Sequence, residues 1–233
     1  MTARIGRLLR ARADGTRVPI LQSFFKTGPG QYAEGDVFIG VTVPDLRRTC
    51  RECADATGDD RLRLLRSPVH EERALALLLM IEAFKRADDA GKRRIYTEYL
   101  ANTDTINNWD LVDCSAAPIA GAWLADRSRR PLHRLARSAS LWERRIAIVA
   151  THHFIRKGEV EETFAIADLL LHDDHDLIHK AVGWMLREAG KRDPAAERRF
   201  LASRYKTMPR TMLRYAIERF PERERQAYLR GTI

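Results

Sequence analysis

Trp109 and Asp113 stand four residues apart in the segment 106–113, INNWDLVD, and their side chains suit chemistry on a cation. Residues at this spacing lie on one face of an α-helix, one turn from each other. A carboxylate stabilises positive charge that develops beside it, and the face of an indole attracts a cation. The structural alternative is a core Trp next to an Asp in the first turn of a helix. Asp110 lies about 100° around the helix and suits an N-terminal cap or an ion pair.

A second group of residues favours the chemical interpretation. Trp184 follows Lys180 by four positions, and Gly183 beside it leaves room for a close approach by another group. Arg145 precedes Lys180 by 35 positions, which is the spacing of a repeat described below. We therefore expect two indoles, one carboxylate and one guanidinium to converge from successive helical repeats.

The elements that must position these residues are helices. Apolar residues recur at spacings of three and four after position 44, and alternating runs typical of strands are nearly absent, which predicts an all-α protein. Proline stands at predicted helix starts and glycine near predicted helix ends. The segment 27–38, rich in glycine, is predicted to be a loop. The predicted helices span residues 2–13, 17–26, 44–56, 68–87, 91–102, 106–126, 131–138, 141–157, 160–171, 175–191, 193–205, 208–220 and 221–230.

Five of these helices share a repeat of about 35 residues. Helix pairs of this size cannot bury their apolar faces alone, so the period predicts an α-solenoid of HEAT-like, or armadillo-like, helical repeats. We expect a single domain over residues 1–233. In such a solenoid the register positions line the concave surface and form a cationic row suited to a phosphate backbone. The alternative is that each cation covers a neighbouring helix or pairs with an acid. The register positions are Arg73, Trp109, Arg145, Lys180 and Arg214.

The composition favours some classes of function and excludes others. Among 233 residues, 41 Lys and Arg against 32 Asp and Glu give a net charge of +9, which favours an anionic partner. No apolar run reaches the roughly 18 residues of a membrane helix, so we expect no membrane partner. Three cysteines, an odd number, predict a reducing, cytoplasmic setting. Basic residues concentrate in the segment 127–137 and acidic residues in the segment 159–176, which predicts separate basic and acidic faces.

Three blocks of sequence resemble the AlkD-type DNA alkylation-repair glycosylases. They are WDLVD at 109–113, WERRIAI at 142–148 and KAVGWMLRE at 180–188, and the resemblance extends from about residue 37 to residue 220. It implies a HEAT-repeat enzyme that excises N3- and N7-alkylated purines from duplex DNA by hydrolysing the N-glycosidic bond. We also expect a monomer that needs neither a metal nor a cofactor.

The resemblance assigns roles to individual residues. Asp113 takes the role of the catalytic carboxylate, and Trp109 and Trp184 line the cleft against the deoxyribose. Phe24 lies where relatives carry a DNA-contacting Tyr, and the loop 28–36 is longer than theirs. Arg145 takes the role of holding the DNA backbone near the lesion. Together with the register cations, the residues expected to bind DNA are Arg145, Arg73, Lys180, Arg187, Arg214 and Phe24.

Two other functions fit the same repeats. One is a noncatalytic repeat protein that binds distorted duplex DNA, and the other is a scaffold that binds an acidic protein segment. A steep loss of binding with salt separates DNA binding from the scaffold, because phosphate contacts release counterions.

Overall fold

The computed structural model describes residues 2–233, and the regular secondary structure in this range is helical, as predicted. No strand occurs in residues 2–233, where one isolated parallel bridge joins Val37 to Val69. Within the same residues, every helix is too short or too polar to cross a membrane. The chain divides into two compact units, unit 1 over residues 2–115 and unit 2 over residues 116–233.

In unit 1, the apolar run Ala74–Ile81 lies in the longest helix, and four of its side chains, Leu75, Ala76, Leu77 and Met80, are fully buried. This helix, α5, packs against α3, α4 and α6. Its apolar residues therefore form the centre of the core of unit 1. The helices are α1 (Thr2–Arg10), α2 (Val18–Phe24), α3 (Val43–Glu52), α4 (Gly58–Leu65), α5 (His70–Arg86), α6 (Asp89–Leu100) and α7 (Trp109–Ala116).

In unit 2, three helices at the predicted repeat spacing pack in succession, α10 against α13 and α13 against α15. Neighbouring helices of this kind are what a helical repeat requires. The helices are α8 (Ala122–Leu124), α9 (Arg130–Leu135), α10 (Leu141–Ala150), α11 (His152–Arg156), α12 (Glu161–Leu169), α13 (Asp176–Gly190), α14 (Pro194–Ala202), α15 (Arg210–Ala216) and α16 (Glu222–Arg230).

Local sequence explains most helix starts. Thr42 caps α3 by accepting a hydrogen bond from the backbone N–H of Asp45, and Pro44 occupies its first turn. Pro194 is the first residue of α14, where Asp193 provides the cap. Because a proline lacks the N–H that a first turn leaves unbonded, these positions accept it without cost. The predicted helix starts at Pro44 and Pro194 are thus confirmed to within a residue.

The prediction differs from the structure at three places. Helix α4 was not predicted, although Thr57 and Asp60 form a reciprocal capping box at its start, a signal visible in the sequence. The helix predicted over 106–126 begins only at Trp109 and changes to a π-helical segment at Ala117–Gly121. The helix predicted over 141–157 is divided at Thr151.

Candidate functional site in unit 1 and cationic residues of unit 2

Helix α7 carries Trp109 and Asp113, and Asn108 sets where it begins. The fully buried Asn108 accepts a hydrogen bond from the N–H of Trp109 on its Oδ1 atom (2.8 Å) and from the N–H of Val112 on its carbonyl (3.2 Å). Trp109 is therefore the first residue of the helix, and Asp113 lies one turn later on the same face. Both side chains are half-buried.

Two consecutive phenylalanines contact the Trp109 indole. The ring of Phe25 stacks on it, and the ring of Phe24 meets it edge-on. Phe25 also stacks on Phe38, with 5.1 Å between ring centroids. These rings form part of the wall of a cavity of about 410 Å³, which we call the aromatic cavity. It is lined by Arg17, Leu21, Phe24, Phe25, Phe38, Gly40, Val41, Thr42, Val43, Leu46, His70, Glu71, Ala74, Trp109 and Asp110.

His70, the first residue of α5, lies between two carboxylates. Its Nε2 atom is 2.8 Å from Oδ2 of Asp110, and its Nδ1 atom is 3.2 Å from Oδ2 of Asp36. Burial lowers the pKa of His70, but the hydrogen bonds to Asp110 and Asp36 outweigh burial and raise that pKa to about 9. We therefore assign His70 the protonated form at neutral pH.

Asp36 is the buried carboxylate of this group. Burial raises its pKa, but the hydrogen bond from His70, the charge of Arg73 and the hydrogen bond from Asn107 together leave it below the ordinary value. Arg73 forms an ion pair with it, with Nη2 2.7 Å from Oδ1, and Asn107 donates to Oδ1 at 3.2 Å. Two cations and an amide thus compensate the cost of burying this carboxylate.

The loop that carries Phe38 is held by Glu71. Its Oε1 atom accepts hydrogen bonds from the backbone N–H groups of Ile39 (3.1 Å), Gly40 (2.8 Å) and Val41 (3.3 Å). Gly40 has a positive φ of 84°, and a Cβ atom there would lie 2.0 Å from the carbonyl oxygen of Asp14. Only glycine fits this position beside Asp14. The hydrogen bonds to Glu71 join the loop to helix α5.

Unit 2 holds the other predicted site residues. Trp184 is half-buried, with its ring 5.8 Å from that of His152. Lys180 forms an ion pair with Asp176 at 2.6 Å, and Arg187 is bonded to Glu218 and lies 3.5 Å from Glu188. The cation at position 214 is exposed on α15. Gly183 does leave room for a close approach, but the group that fills it is helix α15.

The cationic row predicted from the repeat needs correction at Arg73. Its side chain is 5% exposed, and besides Asp36 it bonds the carbonyl oxygen of Ser67 at 3.0 Å. A guanidinium that is buried and internally bonded is not placed to meet a DNA phosphate, so the structure does not support the expected contact by Arg73. Arg145 is also buried, at 5% exposure, and donates to the carbonyl oxygen of Leu177 at 2.5 Å. Its DNA contact therefore still rests on the family resemblance.

Sequence reasoning missed the surroundings of Trp109. The sequence pattern singles out neither Phe25 nor His70, and it places Asp36 only in a loop. No local pattern joins them, because Asp36 and Asp110 lie 34 and 40 positions from His70. In residues 2–233, no three His, Cys, Asp or Glu side chains are grouped so as to hold a metal ion.

The packed helices of this chain define a helical-repeat protein with the fold of DNA alkylation repair enzymes. It superposes on a solved structure described as a predicted DNA alkylation repair enzyme from Enterococcus faecalis, with a TM-score of 0.69. The sequences are 15% identical, and the match covers 91% of this chain and 98% of that one. At this identity the likeness concerns the fold.

The sequence profile of the DNA alkylation repair enzyme family matches residues 5–220, which is most of the chain. This protein belongs to that family. A search of curated proteins finds no match.

Proposed function

We propose that this protein is a DNA glycosylase that removes N3- and N7-alkylated purines from duplex DNA by hydrolysing the N-glycosidic bond. The observation that carries the proposal is the arrangement on α7, where Trp109 and Asp113 share one face and Phe25 braces the indole. Membership of the DNA alkylation repair enzyme family supports alkylated DNA as the target.

The chemistry of the lesion explains why these residue types suit the reaction. An N3- or N7-alkylated purine is a cation, so it leaves with the bonding electron pair and becomes neutral. The bond between C1′ and the base nitrogen breaks, and positive charge passes to the deoxyribose as an oxocarbenium-like ion. Water then bonds to C1′ and releases a proton to solvent, which leaves an abasic site.

In this proposal, the protein stabilises the charge that develops on the sugar. The carboxylate of Asp113 lies beside the deoxyribose, where it stabilises the cation and orients the attacking water. The face of Trp109 adds cation–π attraction. The role of Trp184, which lies in unit 2, stays as the family resemblance implies it. The leaving base is already charged, so the reaction assigns no role to a general acid.

Cations of unit 2 supply the affinity for the DNA backbone. Arg214 is exposed. Lys180 and Arg187 lie on α13 and pair with acidic side chains, and a DNA phosphate would replace these partners or bind the cation beside them. The exposed ring of Phe24, next to Trp109, provides an apolar contact with the duplex. These contacts are expected to be independent of sequence and sensitive to salt.

The test uses duplex DNA with a single 7-methylguanine and measures free base and alkali-labile sites. We expect wild type to release the base, and Asp113→Asn to lower the single-turnover rate roughly 100-fold while duplex affinity is retained. Asp104→Asn, at an exposed carboxylate near α7, is the matched control and is expected to keep the wild-type rate.

Three results would argue against the proposal. Release no faster than spontaneous depurination, together with salt-sensitive binding to duplex DNA, would identify a noncatalytic DNA-binding protein. Absence of salt-sensitive duplex binding would favour a protein scaffold. Equal rates for Asp113→Asn and wild type would remove Asp113 from the mechanism.

A further inference from the structure

His70 joins three separate parts of unit 1. It is the first residue of α5, it contacts Asp36 in the loop that precedes α3, and it contacts Asp110 in the first turn of α7. Asp110 directly follows Trp109 and precedes Asp113 by three residues. A single imidazole therefore connects the loop, α5 and the helix that carries the proposed catalytic carboxylate.

The geometry defines how His70 is bonded. Both of its ring nitrogens face carboxylate oxygens, and an ionised carboxylate only accepts hydrogen bonds. Both nitrogens must then donate, which only the imidazolium form can do. The charged groups that face the ring are Asp36 from the loop, Asp110 from α7 and Arg73 from its own helix.

The same imidazole is the first ring of an aromatic stack whose last ring is Trp109. His70 stacks on Phe38, with centroids 4.5 Å apart and planes inclined by 21°. Phe38 stacks on Phe25, and Phe25 stacks on Trp109. His70 thus influences the position of the indole in two ways, through its hydrogen bond to Asp110 and through the aromatic stack.

We propose that His70 is a positioning residue of the excision reaction: by donating to Asp36 and Asp110 it holds the first turn of α7, and with it Trp109 and Asp113, in the reactive orientation. This inference rests on the proposed glycosylase function. It assigns His70 no contact with DNA, so its loss should lower the rate of base release and leave duplex affinity unchanged. A displacement of about 1 Å in a reacting group can cost roughly 100-fold in rate.

Two amide variants distinguish the effect of the hydrogen bond to Asp110 from that of the hydrogen bond to Asp36. The amide nitrogen of His70→Gln lies the same number of bonds from Cα as Nε2, so it still donates to Asp110. The amide nitrogen of His70→Asn corresponds to Nδ1 and reaches only Asp36. We expect the single-turnover rate to fall severalfold in His70→Gln and about 10- to 100-fold in His70→Asn, at unchanged Kd for undamaged duplex.

A pH profile provides a readout that simple loss of stability would not produce. The wild-type rate, corrected for spontaneous release, should fall as pH rises through the pKa of about 9, because His70 then loses one donated bond. His70→Gln has no proton to lose and should lack this fall. His133→Gln is the matched control, since His133 pairs with Glu162 in unit 2 at 2.8 Å, and it should keep the wild-type profile.

An NMR titration tests the bonding without DNA. The Cε1–H signal of His70, assigned by its absence in His70→Gln, should report the imidazolium at neutral pH and titrate near pH 9. A neutral imidazole at pH 7, or equal rates in His70→Asn and wild type, would overturn the inference. If wild type releases no base while His70 titrates as expected, it is the proposed function that fails, together with the positioning role that depends on it.

Discussion

The ring of Phe25 lies nearly parallel to the indole of Trp109, with centroids 5.4 Å apart and planes inclined by 21°. Its chain neighbour, Phe24, meets the same indole edge-on at 5.7 Å. Phe25 is 8% exposed and Phe24 is 58% exposed. One phenylalanine therefore supports Trp109 from the core, and the other borders it on the surface.

We expect this difference in burial to separate stability from activity. Phe25→Ala removes a buried ring that contacts four other rings, so it should lower the free energy of unfolding by about 3–5 kcal/mol. Phe24→Ala should change it by less than about 0.5 kcal/mol but slow excision, because the exposed ring borders Trp109. Urea unfolding and single-turnover excision measure the two effects. Equal losses of stability in both variants would contradict the prediction.

Arg73 and Arg214 both occupy the repeat register, but we expect substitution of Arg73 to affect stability and substitution of Arg214 to affect duplex binding. Arg214→Ala is expected to weaken duplex binding and reduce the slope of log affinity against log salt by about one. Arg73→Met leaves Asp36 with one charged partner fewer, so it should lower the free energy of unfolding by about 3–5 kcal/mol with the salt slope unchanged. Binding is measured at a temperature where both variants are folded. A reduced salt slope in Arg73→Met would restore Arg73 as a DNA contact.

Gly183 allows α13 and α15 to approach closely. A Cβ atom at this position would lie 2.4 Å from the carbonyl oxygen of Met212 and 2.5 Å from Cβ of Tyr215, so the helices would have to separate. Gly183→Ala should therefore lower the free energy of unfolding by about 1–3 kcal/mol. Gly58→Ala is the matched control, because a Cβ atom there meets only an Arg61 side chain at 3.7 Å. Denaturant unfolding of both variants checks this, and equal stability would contradict it.

Glu197 should make stability depend on pH. Burial raises its pKa to about 8, against the lowering effect of Arg198, and its Oε1 atom has no hydrogen-bond partner. Because the folded-state pKa lies above the unfolded value of 4.5, wild type loses stability as pH rises from 4.5 through 8, by about 1.4 kcal/mol per pH unit.

Glu197→Gln does not titrate, so its stability advantage over wild type should grow across that pH range and then level off. Thermal unfolding of the two proteins at several pH values measures this difference. An advantage that is independent of pH would show that Glu197 is ionised in the folded state as in the unfolded state, and would contradict the prediction.

The sequence by itself determined the helical class, most helix ends and the shared face of Trp109 and Asp113. These features depend on interactions within a few residues, such as apolar periodicity, caps at Thr42 and Asp193, and an i, i+4 spacing. Signals of this kind involve residues close together in the chain, so they can be recognised from the sequence. Helix α4 belongs to the same class, since its capping box is a local signal in the sequence.

Only the tertiary structure decided which cations are exposed and what surrounds Trp109. The register treats Arg73 and Arg214 alike, but packing buries the first against Asp36 and leaves the second exposed. His70 likewise reaches two carboxylates that are far from it in sequence. The burial and the ion pairs of a side chain depend on which distant segments pack together, and a local sequence pattern contains no information about that packing.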